Sequence, residues 1–121
     1  MANSAHYATK NVDGVLAIVF RQSQILNAVT IEEIASGLKA LVDAAKENQF
    51  VLDFSRVTYL SSSALGMLIS LQKRVLQKKG RLKLSGIREE IMEVFRITRL
   101  DTVFDIYKDA ASAVEAFRSN L

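Results

Sequence analysis

Short apolar runs alternate along the chain with longer segments whose apolar residues recur at helical spacing, and this alternation constrains the fold more than any other feature. The predicted order of elements is β-β-α-β-α-β-α-β-α. Alternation of this kind is typical of parallel strands joined by helical crossovers. The sequence therefore predicts an α/β fold with a mixed, mostly parallel sheet, an N-terminal hairpin and about four helices.

The predicted strands are apolar or alternating and are bounded by turn residues. Asp13-Gly14 is predicted to close a hairpin, because glycine tolerates the positive φ of tight turns. The polar segment 21–27 is predicted to be a loop. The run at 81–85 alternates polar and apolar residues, as a half-exposed strand does. We place the strands at Tyr7–Val12, Val15–Phe20, Phe50–Phe54, Arg81–Ser85 and Val103–Tyr107.

The predicted helices begin at capping residues and present one apolar face. Thr30 and Glu33 form a capping box before the first helix, which is predicted to reach about Lys46. The second helix follows a serine-rich segment and ends at Gly80, and Asp109 caps the fourth. The third helix covers residues 88–97, and its apolar face is formed by Ile91, Val94 and Phe95.

The length of 121 residues fits a single domain covering residues 1–121. No apolar run approaches the roughly 18 residues that a membrane-spanning helix needs, and no secretory signal is visible, so we expect a cytoplasmic protein. The chain has no cysteine and one histidine. We interpret His6 as an ordinary residue of the first strand, and we expect no metal site and no cofactor.

The net charge of +3 is unevenly distributed. A segment without acidic residues could attract an acidic protein, an anionic membrane or nucleic acid. The simpler interpretation is a solvated helix end and an edge strand. The segment lacks the aromatic residues that stack on bases, so we expect no direct binding to nucleic acid. Its basic residues are Lys73, Arg74, Lys78, Lys79, Arg81 and Lys83.

Three consecutive hydroxyl groups, Ser61 to Ser63, stand between the strand at 50–54 and the second helix. In an open α/β sheet, functional groups gather at the carboxyl ends of the parallel strands. The same position collects free backbone N–H groups and the positive end of a helix dipole. The serines could therefore cap the helix, be modified, or do both, with Ser63 as the plain cap.

Nothing in the sequence supports catalysis. A serine nucleophile needs a neighbouring base and an orienting acid, and the single imidazole lies in the first strand. The sequence contains no nucleophile elbow, phosphate-binding loop or dinucleotide fingerprint. We therefore expect a protein that is not an enzyme and has no catalytic residues.

The segment Tyr59–Gly66, together with the order of elements, resembles the STAS domain of anti-sigma-factor antagonists and sulfate transporters. Members of that family carry Asp-Ser-Ser-Gly-Leu-Gly at this junction, where this chain has Ser61-Ser62-Ser63-Ala64-Leu65-Gly66. The resemblance extends to Leu52-Asp53-Phe54, Gly80-Arg-Leu-Lys-Leu and Val94-Phe95. Ser61 replaces the family's aspartate, and Ala64 replaces its first glycine.

The resemblance implies a bacterial regulator of transcription that works by partner switching. Antagonists of this kind bind an anti-sigma factor that is also a serine kinase, and phosphorylation switches the binding off. A PP2C-type phosphatase reverses the modification. By position, the phosphate acceptor would be Ser62, with Ser61 and Ser63 as alternatives, and the protein would act as a monomer. The resemblance and the position of the loop together place partner binding at Ser61, Ser62, Ser63, Ala64, Asp53 and Met67.

The family also contains domains that are never phosphorylated. The alternative function is therefore a STAS subunit or scaffold in a signalling or lipid-transport complex. The serine at position 61, where the family carries an acid, motivates this alternative.

Overall fold

The computed structural model describes residues 6–25 and 27–119. Five strands form one sheet in the order β1-β2-β4-β6-β7, and two short strands, β3 and β5, pair separately. Strands β1 and β2 are antiparallel, and the other neighbours in the large sheet are parallel. The strands are β1 (Tyr7–Val12), β2 (Val15–Phe20), β3 (Gln24–Ile25), β4 (Gln49–Asp53), β5 (Tyr59–Leu60), β6 (Arg81–Ser85) and β7 (Asp105–Tyr107).

Four helices follow the predicted order, which confirms the α/β architecture and the N-terminal hairpin. The hairpin turn has Asp13 and Gly14 at φ angles of 55° and 85°, as a tight turn between strands requires. A short 3-10 turn, Leu100–Thr102, precedes β7. The helices are α1 (Ala28–Ala44), α2 (Ser62–Gln77), α3 (Glu89–Ile97) and α4 (Ala110–Arg118). No helix in the described ranges combines the length and apolarity needed to cross a bilayer.

The two faces of the sheet carry cores of different size. Side chains alternate between the faces along each strand, so Phe50 and Leu52 of β4 point to one face and Val51 to the other. Helices α1, α2 and α3 cover the first face, and α4 covers the second. Strands β2 and β4 lie inside the sheet, where both of their faces are buried, and this explains why their sequences are nearly all apolar.

Strand β6 differs from the prediction of a half-exposed strand. It lies between β4 and β7, and Lys83 on its second face is only 4% exposed beneath α4. The Lys83 Nζ lies 3.2 Å from an Asp105 carboxylate oxygen and 4.6 Å from the centre of the Phe117 ring. Alternation alone could not show that α4 covers this face.

The basic segment 73–83 is not a single exposed surface. The Arg74 Nε donates to Asp43 at 3.0 Å. Lys78 donates to the carbonyl oxygens of Val42 and Ala45, at 2.6 and 3.0 Å, where α1 ends. With Lys83 buried as well, three of the six basic residues are already engaged by other parts of the fold.

Helix α1 begins earlier than predicted and ends at Ala44. Asn27 is its N-cap, and the Asn27 side chain accepts hydrogen bonds from the backbone N–H groups of Val29 and Thr30. Thr30 is the third residue of the helix, so the predicted capping box is wrong. Asparagine satisfies the same free N–H groups as threonine, and periodicity does not distinguish the two starts.

Helix α2 ends at Gln77. The residue with left-handed backbone conformation after this helix end is Lys79, with φ of 64°, and not Gly80. A side chain at Gly80 would approach the Asn48 carbonyl oxygen to 2.6 Å. The glycine is therefore required for close packing between chain segments. We predicted that Gly80 ends the helix, but the helix is ended by Lys78 and Lys79.

Helix α3 buries Ile91 and Phe95, but Val94 is 42% exposed. The three residues lie on one side of the helix, as their spacing predicts, but only a narrow stripe of α3 is covered, and Val94 therefore stays exposed. In α4 the predicted cap is confirmed, since the Asp109 carboxylate accepts from the Ser112 N–H at 2.7 Å.

Candidate functional site

The serine-rich loop is held by a pair of strands that the sequence did not predict. Strand β3 lies within the segment 21–27 that was predicted to be a loop, and it pairs in parallel with β5, placing Gln24 beside Tyr59 and Ile25 beside Leu60. The Ser61 N–H then donates to the Ile25 carbonyl oxygen at 3.1 Å. The start of α2 is therefore fixed against the segment that leads into α1.

Buried aromatic and aliphatic side chains anchor the first part of the loop. Phe54 and Val57 are fully buried, and the Phe54 ring lies 5.0 Å from that of Phe20. The Phe54 N–H donates to the Ser85 carbonyl oxygen at 2.8 Å. A further bond, from the Thr58 N–H to Ser23, completes the support. The loop thus leaves the carboxyl end of β4 along a defined path.

Ser61 is the N-cap of α2. The Ser61 Oγ accepts from the Ala64 N–H at 3.3 Å, and its backbone is extended, with φ of −81° and ψ of 166°. The prediction that Ser63 is the plain cap is therefore wrong. Serine and aspartate are both good N-caps, so Ser61 keeps the capping bond that a carboxylate could make while leaving the helix start without a negative charge.

Ser62 and Ser63 are the first two residues of α2, and both are exposed. Within the described chain neither side chain makes a hydrogen bond. The first turn of α2 contains no acidic residue. The positive end of the helix dipole therefore has no compensating charge within its own first turn.

The remaining residues that we assigned to partner binding do not share this exposed surface. Ala64 is fully buried and Met67 is 7% exposed, both in the core beneath α2. Asp53 ends β4 with its side chain on the opposite face of the sheet, where it lines a cavity next to α4, and its Oδ1 accepts from the Ser55 N–H at 2.9 Å. Contact of these three residues with a partner stays a prediction.

Sequence reasoning missed three features around the serines. Tyr59 is 55% exposed directly before the loop, and it lines a small cleft together with Val94 of α3. Gly66 lies on the exposed side of α2 with open space where a side chain would be. A glycine inside a helical pattern, away from the helix ends, lowers helix stability. This signal in the sequence could have indicated a functional surface at Gly66.

The described residues show no cluster of histidine, cysteine or acidic side chains that could hold a metal ion. His6 lies just before β1, where its Nε2 contacts the Glu33 carboxylate at 2.9 Å and its Nδ1 faces Gln22. The chemistry available at the serine loop is therefore that of hydroxyl groups at a helix start.

Comparison with known proteins supplies the family. The model of the STAS domain matches residues 6–113. The chain belongs to the STAS domain family. This STAS domain is 29% identical over 110 residues to BtrV of Bordetella bronchiseptica, a candidate anti-sigma factor antagonist, covering 91% of this chain and 92% of BtrV.

Solved structures share the fold. A candidate anti-sigma factor antagonist from Thermotoga maritima superposes with a TM-score of 0.81 at 23% identity, covering 94% of this chain and 96% of the other. The Bacillus cell fate determinant SpoIIAA in its phosphorylated form superposes with a TM-score of 0.70 at 14% identity, covering 92% and 98%. At these identities the likeness establishes the fold alone.

Proposed function

We propose that this STAS domain is an anti-sigma-factor antagonist that works by binding and is switched off by phosphorylation of Ser62. The observation that carries the proposal is an exposed serine in the first turn of α2, next to a neutral cap and with no acidic residue in that turn. The partner is an anti-sigma factor that is also a serine kinase, and a PP2C-type phosphatase reverses the reaction. The similarity to BtrV supports the same role.

A phosphate on Ser62 would be compatible with the fold. It adds a charge of about −1.5 to −2, and the free N–H groups and positive dipole end of α2 favour an anion at that position. The Ser61 cap stays intact, because the modified hydroxyl belongs to the next residue. The modification can therefore change binding without unfolding the domain.

The same phosphate opposes a close interface. A partner that covers Ser62 must remove water from the phosphate, and an uncompensated buried charge costs several kcal/mol. Ser61 is less suited to accept phosphate, because its Oγ already bonds to the Ala64 N–H and the side chain is half-buried. Ser63 is exposed, like Ser62, and the position within the family motif favours Ser62.

The test uses the purified domain and the anti-sigma-factor serine kinases of its own organism. After incubation with ATP, mass spectrometry should locate one phosphate on Ser62, and Ser62→Ala should remove it. Ser62→Asp should weaken kinase binding at least about tenfold, because the charge lies inside the interface. Ala111→Asp, which places the same charge at the start of α4, is the matched control and should bind like the wild type.

Two outcomes would contradict the proposal. Absence of phosphate on residues 61–63, together with Ser62→Asp binding like the wild type, would remove the switch. A domain that stays unmodified in a stable complex with transport or signalling subunits would instead support the scaffold function.

A further inference from the structure

A group of exposed apolar side chains lies beside the serine loop. Tyr59 of β5 is 55% exposed, and on α3 Val94 and Ile97 are 42% and 82% exposed. Val94 and Ile97 are three residues apart, so they lie on one side of the helix. Isolated exposed apolar residues are ordinary, but contiguous ones indicate an interaction site.

Tyr59 and Val94 both line a cleft between β5, the start of α2 and α3. We call it the Tyr59–Val94 cleft. Its volume is about 120 Å3, room for roughly four water molecules at about 30 Å3 each, and thus for one branched aliphatic side chain. The lining is otherwise mainly apolar and consists of Thr58, Leu60, Leu65, Glu90 and Ile91.

The cleft and the serines are parts of one surface. Leu60, which lines the cleft, is followed directly by the cap Ser61, and Leu65 lines it from the first turn of α2. Gly66 follows Leu65 on the exposed side of the helix, where nothing lies within 4 Å of the position its side chain would take. A protein that covers Ser62 can therefore approach the helix backbone closely and reach the cleft in the same contact.

The charge of the cleft indicates what occupies it. Glu90 is its one charged lining residue, and in the described part of the chain Glu90 makes no ion pair. The neighbouring Glu89, by contrast, pairs with the Arg96 guanidinium at 2.7 Å. An unpaired carboxylate at the rim of an apolar cleft is complementary to a basic residue that stands next to an apolar one.

We propose that the Tyr59–Val94 cleft receives an aliphatic side chain of the partner kinase, with an adjacent lysine or arginine facing Glu90. This inference rests on the proposed function and adds the chemistry by which the partner is recognised. The aliphatic side chain removes the exposed apolar surface from water, and buried anchors of this kind carry most of the binding energy of an interface. The basic residue gives orientation.

The cleft also explains how one phosphate can act on a whole interface. The anchor can enter only if the partner approaches the start of α2 closely, and a hydrated phosphate on Ser62 stands beside that path. The modification then prevents insertion of the anchor as well as contact with the serine. Removal of the phosphate restores both together.

The experiment compares two apolar residues of similar exposure, of which only Val94 lines the cleft. Val94→Lys places a charge at the cleft, and Leu76→Lys makes the same change at the opposite end of α2, where Leu76 is 47% exposed. Against the purified anti-sigma-factor kinase that binds the wild type, Val94→Lys should raise the Kd at least about tenfold. Leu76→Lys should leave the Kd within about twofold of the wild type, as expected for a surface change outside the contact.

A second pair of variants tests the charge without risk to the fold. Glu90→Gln should raise the Kd about threefold, the size of an exposed ion pair, and Glu93→Gln, which changes an exposed carboxylate outside the cleft, should not change it. Val94→Thr keeps the β-branched shape of Val94 and should still weaken binding if Val94→Lys proves to be misfolded by circular dichroism.

The two proposals can fail separately. If Ser62→Asp abolishes binding while Val94→Lys, Val94→Thr and Glu90→Gln all bind like the wild type, the cleft is not the anchor site and the phosphorylation switch stands. If Val94→Lys weakens binding and Ser62→Asp does not, the cleft is confirmed as a contact and the switch is wrong.

Discussion

Helices α1 and α2 begin in nearly the same setting and differ in how their first turns are satisfied. Each follows a two-residue strand, β3 or β5, and those strands pair with each other. At α1 the Asn27 side chain accepts two backbone hydrogen bonds, at 2.8 and 3.3 Å. At α2 the Ser61 side chain accepts one, at 3.3 Å.

The residues that follow the caps extend the contrast. The exposed second residue of α1 is Val29, whereas α2 presents the hydroxyls of Ser62 and Ser63. The fifth residue is Glu32 in α1 and Gly66 in α2. One helix start is thus well capped and chemically inert, and its neighbour is weakly capped and offers nucleophilic oxygens on a bare surface.

The largest expected effect comes from removing the support that the two starts share. Ile25 is fully buried next to Leu60 in the β3–β5 pair. Ile25→Ala should lower the free energy of unfolding by about 3 kcal/mol, through lost burial and the cavity left behind. Urea unfolding would measure it, with exposed Val29→Ala as the control. A loss below about 1 kcal/mol would show that the pair is not part of the cooperative core.

The two caps should differ in their contribution to stability. Asn27→Ala should cost about 1 kcal/mol, because two N–H groups lose their acceptor. Ser61→Ala should cost less, because its one bond is long and the Ser61 carbonyl also accepts from the Ala64 N–H, at 3.1 Å. Chemical denaturation of both variants would measure the difference. Equal losses would mean that the two starts are capped equally well.

We expect that the glycine on the exposed side of α2 lowers the stability of the isolated domain. Gly66→Ala should raise the free energy of unfolding by about 0.5 to 1 kcal/mol, because alanine is the better helix former and the position has room for its side chain. The same variant should bind the proposed partner kinase more weakly, because a side chain would stand where the partner approaches the helix. Thermal unfolding and binding measurements would test the two effects. A variant that is less stable than the wild type would refute the structural basis of the contrast.

The smallest effect is a dependence on pH that α4 should show and α2 should not. Hydrogen bonds from Ser112 hold the pKa of the Asp109 carboxyl below its ordinary value of 3.8. Since the folded-state pKa is lowered, this stabilisation is present above pH 3.8 and is lost as the pH falls through the folded-state pKa. Asparagine is also a good N-cap. Asp109→Asn should therefore keep the capping hydrogen bond but lose the pH-dependent part of the stabilisation.

Unfolding free energies measured between neutral and acidic pH would test this prediction. The difference between the wild type and Asp109→Asn should be largest at neutral pH and should disappear in acid. Ser61→Ala is the control, and its difference from the wild type should not change with pH, because the Ser61 hydroxyl does not titrate there. A pH-independent difference for Asp109→Asn would show that the carboxylate charge adds nothing to the cap.

The sequence was sufficient for the order of elements because each main strand is a short apolar or alternating run and each helix has an apolar face at helical spacing. It was also sufficient to locate the serines at the carboxyl end of β4, which follows from topology. The β3–β5 pair could not be predicted, since two residues contain no period and their partner is distant in the chain.

The details of the site depended on neighbours that a sequence does not show. Asparagine, serine and threonine all cap helices, so the competing starts at Asn27 and Thr30, and at Ser61 and Ser63, could not be separated. Alternation separated Lys83 from Leu82 and Leu84 and predicted a half-exposed strand, but it could not show that α4 covers Lys83. Periodicity placed Val94 on one face with Ile91 and Phe95, but it does not show how much of that face is covered, and Val94 is exposed.

The position of the serine loop depends on the β3–β5 pair, which forms only when the chain is folded. The bond from the Ser61 N–H to the Ile25 carbonyl joins segments on either side of α1 and β4. A short synthetic peptide with the same serines would have neither this bond nor the helix behind it. A kinase that recognises this arrangement would act on the folded chain only, because an unfolded or newly made copy lacks both the bond and the helix start.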